Sequence, residues 1–384
     1  MKHILYIGEG VTLSHLVRPL ELAEMHCRNR KDRHSEKIHF ACDERYSDFL
    51  TCENLEYHKI HTMSGNTFFE RLNSGQIVFD YEYLSNCIKE DESLIKTIHP
   101  DIIYSDFRFS MYICAKKYNI TYYAITNAYW SPYSLVERPI MWQSKKITLN
   151  ICNWKFMKKN YLRYVSKFLR DYNFLRVENG MPIVESIEEL YCSGDYTLFT
   201  DIPKLAPVSK LMPTEFYISP LTGKIKYFKT KDTEIVLRMI QELKKNPNIY
   251  LAYLSMGTSG DYSILSKVLM ELEDINIKVF MTVANNTIID LPNNVYCYSY
   301  LYVDAIMPYM DVAITNGGSG SIYQAYLNGV KVIAIPDNVD QILASSKIEE
   351  TNVGYVIDKN SYNSFVTFKD KIIQIISNKV ITKI

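Results

Sequence analysis

Short apolar runs bounded by small residues alternate along most of the chain with longer stretches whose apolar positions recur every three or four residues. The runs 3–7, 37–42, 56–60, 101–106, 121–126 and 196–199 read as buried strands, as do 249–254, 277–283, 295–298, 311–315 and 331–335. Helical periodicity fills 81–98, 109–118 and 232–245, and a short helix is expected within 302–309. A helix is also expected from about His15 to Cys27, with Leu16, Leu20, Ala23 and Cys27 on its buried face. Arg18, Glu21 and Glu24 fall on the other face, and Pro19 places the start of this helix close to His15, because proline is tolerated only near a first turn. Repeated alternation of strand and helix predicts parallel sheets covered on both faces.

Three segments break the pattern. The charged stretch 28–36 is a loop, and 62–80, with Gly65, Asn66, Asn73, Ser74 and Gly75, is expected to be a mobile loop region. Prolines 203, 207, 213 and 220 stand in a stretch with little periodicity. At 384 residues the chain exceeds the size at which one core keeps growing. The expected organisation is therefore an N-terminal domain over 1–205, a linker over 206–223 and a C-terminal domain over 224–384.

Composition narrows the function classes. Lysine and arginine number 43 against 43 acidic residues, so the chain carries no global charge for a polyanion and nucleic acid is not an expected partner. The eight cysteines lack the paired spacing of a zinc site, and no metal is expected. No apolar run approaches the ~18 residues that would span a bilayer, and the first residues read as a strand rather than a leader, so a cytoplasmic protein is expected. One region departs from this balance: 138–176 holds ten Lys/Arg interleaved with Trp142, Trp154, Phe156, Tyr161, Tyr164 and Phe168. It reads as an amphipathic helix with a solvated basic face. The functional alternative is a patch for an anionic acceptor or for peripheral contact with the inner face of the membrane.

Candidate chemistry collects at strand ends. After the strand 311–315 comes Asn316-Gly317-Gly318-Ser319-Gly320-Ser321, then a helix carrying Ile322, Ala325 and Tyr326 and stopping at Gly329. A small-residue turn into a helix N-terminus presents free backbone N–H groups and the positive end of the helix dipole, which suits a phosphate. The next strand ends at Pro336 and leads to Asp340-Gln341, a pair suited to sugar hydroxyls. Ser255-Met-Gly-Thr-Ser-Gly260 is a second such turn, with Thr258 and Ser259 as phosphate donors. In the first half, His15 follows the first strand and Asp106 ends a later one. Parallel-sheet geometry puts both at one edge, where a carboxylate on one ring nitrogen would leave the other free to take a proton. Gly8-x-Gly10 lacks the third glycine of a dinucleotide fingerprint, Leu13 standing in its place, so no nicotinamide or flavin is expected.

These residues resemble the nucleotide-sugar signature of family-1, UDP-glycosyltransferase-like enzymes: Asn316 to Ser321, Ala325, Gly329-Val330, Pro336 and Asp340-Gln341, with Ser14-His15, Leu22-Ala23, Pro100-Asp101 and Ser105-Asp106 in the first half. The resemblance implies the GT-B fold, two Rossmann-like α/β domains with parallel sheets facing an interdomain cleft. It implies an inverting transfer of a sugar from a nucleotide-diphosphate donor to an acceptor hydroxyl, with His15 as base and Asp106 supporting it. The donor would be held by Thr258, Ser259, Asn316, Gly317, Gly318, Ser319, Ser321, Asp340 and Gln341. Gly10, Asn127 and Trp130 would line the acceptor side. No cofactor and no metal are implied, the nucleotide sugar being a co-substrate, and the acceptor would be a small molecule, a lipid or a glycan. Two positions depart from the family pattern: Asn316 stands where it has His, and Tyr302-Val303 stand where it has Pro followed by Gln or His. The alternatives are a nucleotide-sugar epimerase, a transferase using a lipid-linked acceptor at a membrane surface, and a non-catalytic nucleotide or glycan binder.

Overall fold

In the computed structural model, residues 1–29, 35–74, 76–136, 169–223, 231–257, 264–283, 291–358 and 364–381 are described. Two compact units divide the chain, Met1–Ile225 and Lys226–Ile384.

The first unit runs β1 (Lys2–Gly8), α1 (Leu13–Asn29), β2 (Glu36–Cys42), β3 (Glu56–Lys59), α2 (Gly65–Asn73), α3 (Tyr81–Ile98), β4 (Ile102–Asp106), α4 (Phe109–Lys117) and β5 (Thr121–Thr126). It continues with α5 (169–178), α6 (Ile187–Tyr191), β6 (Tyr196–Phe199) and β7 (Glu215–Tyr217). Its seven strands lie in the order β3-β2-β1-β4-β5-β6-β7, every neighbouring pair parallel. Leu5, Ile7, Ala41 and Ile103 of the sheet pack on Leu94, Ile95 and Ile98 of α3 and on Met111, Cys114 and Ala115 of α4. The order reverses between β1 and β4, so the crevice that such a sheet offers a ligand opens beyond Gly8 and Asp106, which are register partners.

The second unit runs α7 (Lys231–Leu243), β8 (Tyr250–Ser255), α8 (Leu265–Glu273), β9 (Ile277–Thr282), β10 (Val295–Tyr298), α9 (Val303–Ile306), β11 (Val312–Thr315), α10 (Ser319–Leu327), β12 (Lys331–Ala334), α11 (Val339–Ser345), β13 (Gly354–Val356) and α12 (Ser364–Ile381). Its six parallel strands follow β10-β9-β8-β11-β12-β13. Leu254, Val279, Ile314 and Ile333 pack on Leu265, Val268 and Leu269 of α8 and on Phe368 and Ile372 of α12. Here the order reverses between β8 and β11, so the crevice lies beyond Ser255 and Thr315, again register partners.

Three expectations from the sequence are corrected. The region 62–80 is not all loop: Ser64 caps α2 by accepting from the Thr67 amide at 3.1 Å, Phe68 and Leu72 pack on the core, and Val78 and Phe79 are buried. The face of α1 opposite its apolar one, on which the sequence places Arg18, Glu21 and Glu24, is covered as well, all three being buried. Part of the cover is the segment expected as a linker, which carries β7 and folds back so that the Gly223 amide donates to Glu21 at 2.7 Å. Finally, α1 begins two residues before His15, leaving Pro19 well inside the helix. Proline cannot donate to the His15 carbonyl. Gly8 comes so close to that carbonyl that a Cβ there would lie 2.1 Å from its oxygen.

Candidate active site

In the first unit β1 ends at Gly8, the chain turns into α1, and His15 emerges in its first turn with a side chain 18% exposed. Across the sheet, β4 delivers Asp106, whose side chain is 1% exposed. His15 Nδ1 lies 2.7 Å from Asp106 Oδ1. An ionised carboxylate only accepts, so Nδ1 carries the proton and Nε2 is left with its lone pair. Among the described residues Nε2 has no hydrogen-bond partner.

Asp106 is itself held from behind. Arg18, one turn along α1 from His15, donates from Nε to Asp106 Oδ2 at 2.7 Å and from Nη2 to Oδ1 at 2.8 Å. With Nδ1 protonated, the 3.1 Å approach of Arg18 Nη2 to that nitrogen is a contact between two donors rather than a bond. Arg18 Nη1 donates to Asn127 Oδ1 at 2.6 Å, and Asn127 Nδ2 donates on to Asp201 Oδ1 at 2.8 Å. The carboxylate thus has two fixed donors from a rigid fork, and its free choice is limited to the imidazole.

The imidazole also has a floor. Phe107 stacks on it with ring centroids 4.3 Å apart and planes within 8°. To do so Phe107 adopts φ +62°, a left-handed conformation that costs a bulky residue about 1–2 kcal/mol. Its neighbours resist relaxation. Asp106 is tied to Arg18, and Arg108 is buried among Glu9, Glu90 and Asp91 at 2.9, 2.9 and 3.0 Å. Burial alone would depress the Arg108 pKa; the Asp91 and Glu9 charges outweigh it and hold the guanidinium firmly charged. Glu9 also accepts from Tyr83 Oη at 2.6 Å and from the Met63 amide at 2.9 Å.

In the second unit the turn after β11 is built to leave amides open. Gly317 takes φ +81°, a conformation glycine adopts freely, and its amide donates to Thr315 Oγ1 at 3.0 Å. Gly318 caps α10 without a side chain, and among the described residues the amides of Ser319, Gly320 and Ser321 have no partner. Those amides, with the positive end of the α10 dipole, form an anion-seeking surface. Asn316 is buried beside them, and a Cβ on Gly257 would lie 3.2 Å from its Nδ2, so the turns after β8 and β11 meet. The turn after β12 meets them too: a Cβ on Gly317 would stand 3.3 Å from the Gln341 carbonyl oxygen.

No protein-family model matches the chain. It is 28% identical over 366 residues to a PGL/p-HBAD biosynthesis glycosyltransferase of Mycobacterium tuberculosis (strain ATCC 25177 / H37Ra), covering 94% of this chain and 82% of that protein. A PGL/p-HBAD biosynthesis rhamnosyltransferase of Mycobacterium bovis (strain BCG / Pasteur 1173P2) is likewise 28% identical, over 93% of this chain and 77% of its own length. Among solved structures, the glycosyltransferase of kitacinnamycin superposes with a TM-score of 0.69 at 14% identity, over 99% of this chain and 92% of that one. The spinosyn rhamnosyltransferase SpnG complexed with thymidine diphosphate superposes at 0.61 with 11% identity, over 98% and 92%. This chain is a glycosyltransferase of the GT-B fold.

In this glycosyltransferase the residues expected from sequence are distributed unevenly. His15 and Asp106 are in contact, while Asn316, Gly317, Gly318, Ser319 and Ser321 form one continuous turn. Asp340 is exposed in the first turn of α11. Gln341 is 2% exposed, and its Oε1 accepts from the Asp337 amide at 2.8 Å while Asn338 Oδ1 accepts from the Gln341 amide at 3.1 Å. Its carbonyl end therefore braces the turn. Asn127 is engaged by Arg18 and Asp201, and Trp130 lies flat on Tyr191 with centroids 4.5 Å apart. Gly10 is enclosed: its carbonyl accepts from Tyr46 Oη at 2.6 Å and Arg45 Nη2 at 2.8 Å. Thr258, Ser259 and 137–168, most of the basic stretch, lie outside the described residues. No helix among those described is long and apolar enough to cross a membrane.

Sequence reasoning missed Arg18, Arg108 and Glu9. The available signal was Arg18 three residues after His15, on the same face of a helix.

Proposed function

We propose that the enzyme transfers a hexose from a nucleoside-diphosphate donor to an acceptor hydroxyl by direct displacement with inversion, using His15 as general base. The observation that carries this reading is the His15 to Asp106 bond at 2.7 Å with the opposite ring nitrogen unpartnered among the described residues. The acceptor O–H gives its proton to Nε2 as the oxygen attacks the anomeric carbon, and the glycosidic oxygen leaves with the diphosphate. The imidazolium formed is stabilised by the Asp106 carboxylate on its other nitrogen. The departing diphosphate gains charge, which the amides of Ser319 to Ser321 and the α10 dipole meet, with the Asn316 side chain as a further donor. Backbone and dipole stabilisation of this kind makes a divalent ion dispensable in the reading, and no other cofactor enters it. Asp340, and Thr258 and Ser259 by sequence, are assigned to the donor sugar and phosphates.

The complex of SpnG with thymidine diphosphate and the mycobacterial relative named a rhamnosyltransferase favour a deoxyhexose on a thymidine diphosphate as the first donor to try. Titration calorimetry with nucleoside diphosphates and their sugars, followed by nucleotide release against phenol and sugar acceptors, tests the reading. His15→Ala should bind donor within about threefold of wild type and lose transfer by at least 100-fold. Wild-type turnover in that variant would remove the base from His15.

A further inference from the structure

The first sheet carries a second cluster of ionisable groups that the transfer does not use. The register sets Leu5 beside His39, His39 beside Glu56 and Ala41 beside His58, so His3, His39, Glu56 and His58 project from one face of β1, β2 and β3. Along the strands His3 is level with the start of β1, His39 and Glu56 with its middle, and His58 with Ile7, two strands to the side of it.

Three of the four present one donor atom each to a common point. His39 Nδ1 and His58 Nε2 are 2.9 Å apart, and Glu56 Oε1 stands 4.0 Å from the first and 3.9 Å from the second. We propose that these three atoms form a binding site for a single zinc ion, with water completing a tetrahedron. Zinc bonds of about 2.0–2.1 Å at tetrahedral angles require donor atoms roughly 3.3 Å apart. The triangle meets that requirement if the two nitrogens part by a few tenths of an ångström and the Glu56 carboxylate, half in solvent, swings inward.

The surroundings prepare the donors. His39 Nε2 lies 3.1 Å from His3 Nδ1, and the two rings stack with centroids 5.2 Å apart. When Nε2–H donates to His3, the His39 Nδ1 lone pair is turned toward the site, the arrangement by which an outer partner fixes the tautomer of a ligating histidine. Lys37 pairs with Oε2 of Glu56, which leaves Oε1 on the histidine side. An ion here would fasten β3, the edge strand of the sheet, to β2.

The test uses the full chain, stripped with chelator and with its thiols alkylated so that exposed cysteines cannot compete. Zinc titrated against a chromogenic chelator should bind at one ion per chain and raise the Tm. Binding should weaken at least about tenfold in His58→Ala and in Glu56→Gln, both with side chains that reach solvent and are removable without emptying the core. His3→Phe, which retains a stacked ring but not the Nδ1 acceptor, should weaken it by roughly 10–100-fold. Cobalt in place of zinc should give the intense visible bands of a tetrahedral nitrogen and oxygen site. Failure to bind one equivalent, or affinity unchanged in both His58→Ala and Glu56→Gln, would overturn the proposal and leave the cluster a hydrogen-bonded row of imidazoles.

Discussion

Asp106→Asn is the most informative single change, because Asp106 accepts from three directions and asparagine can serve only some of them. The carboxylate takes His15 Nδ1–H and Arg18 Nη2–H on Oδ1 and Arg18 Nε–H on Oδ2. An amide has one oxygen and one NH2 group. With its oxygen in the Oδ1 place, the NH2 opposes Arg18 Nε. With its oxygen in the Oδ2 place, the NH2 faces His15 Nδ1, which must then become an acceptor, and the proton moves to Nε2, where the base should be. Either way the imidazolium formed in the reaction loses its counter-charge.

General-base catalysis is worth roughly 10²–10⁴ in rate. At 1.36 kcal/mol per decade this is about 3–5 kcal/mol of barrier. Stability also falls, because a guanidinium 6% exposed keeps its charge while its partner loses one; breaking a buried pair costs about 3–5 kcal/mol, less here because Asn127 still accepts from Arg18. The assay is nucleotide release under saturating donor, normalised to the folded fraction from chemical denaturation. Donor affinity should not move. The decisive comparison is the double variant: if Asp106 acts only through His15, then Asp106→Asn adds nothing to His15→Ala. A double variant slower than His15→Ala by the full factor of the single change, or Asp106→Asn alone retaining more than about a third of wild-type kcat, would refute the reasoning.

Gly317→Ala places a Cβ at φ +81° and within 3.3 Å of the Gln341 carbonyl, so a loss of about 1–2 kcal/mol in denaturation and a clear weakening of donor binding by calorimetry are expected. Glu9→Gln leaves Arg108 short of one of its three carboxylates; about 3 kcal/mol of stability should be lost, with hydrogen exchange rising along β4 and α4. Asp43 accepts from the Thr62 and Arg45 amides at 2.9 and 3.1 Å; burial opposes these bonds, yet they and the Arg45 charge hold its pKa below 3.8. Its folded pKa being depressed, its contribution is complete above the unfolded pKa near 3.8 and disappears as pH falls through the lower folded value, so Asp43→Asn should be destabilised at pH 7 and converge on wild type as pH falls through that lower value. Nucleotide release should continue within about twofold in excess chelator; complete loss restored by magnesium would contradict leaving-group stabilisation by the α10 amides.

What could be read before the structure was what depends on neighbours in sequence. Strand and helix periods, the open Gly317-Gly318 turn and its stop at Gly329 are local, and the meeting of His15 with Asp106 followed from one rule, that parallel strands deliver their carboxyl ends to a common edge. The failures share a cause. Arg18, Glu21 and Glu24 read only as the face of α1 opposite its apolar one, and their burial was not legible because a helical period reports one apolar stripe and is silent about what covers the other side. What covers it includes a segment some two hundred residues later, reaching back to Glu21 through Gly223, and the prolines of that segment suggested a linker. Asn127 and Gln341, chosen for what they could offer a ligand, each also have an oxygen engaged within the protein, by Arg18 and by the Asp337 amide. The row His3, His39 and His58 was invisible for the same reason, each residue lying on a different strand. A buried charged group is legible only through its partners, and here the decisive partners are distant in sequence: Arg18 to Asp106 and Glu9 to Arg108. The strained Phe107 shows what those pairs accomplish together. It sits between Asp106 and Arg108, each fixed by its own buried pair, so the polar interior that sequence reading undervalued is what keeps an aromatic floor under the His15 imidazole.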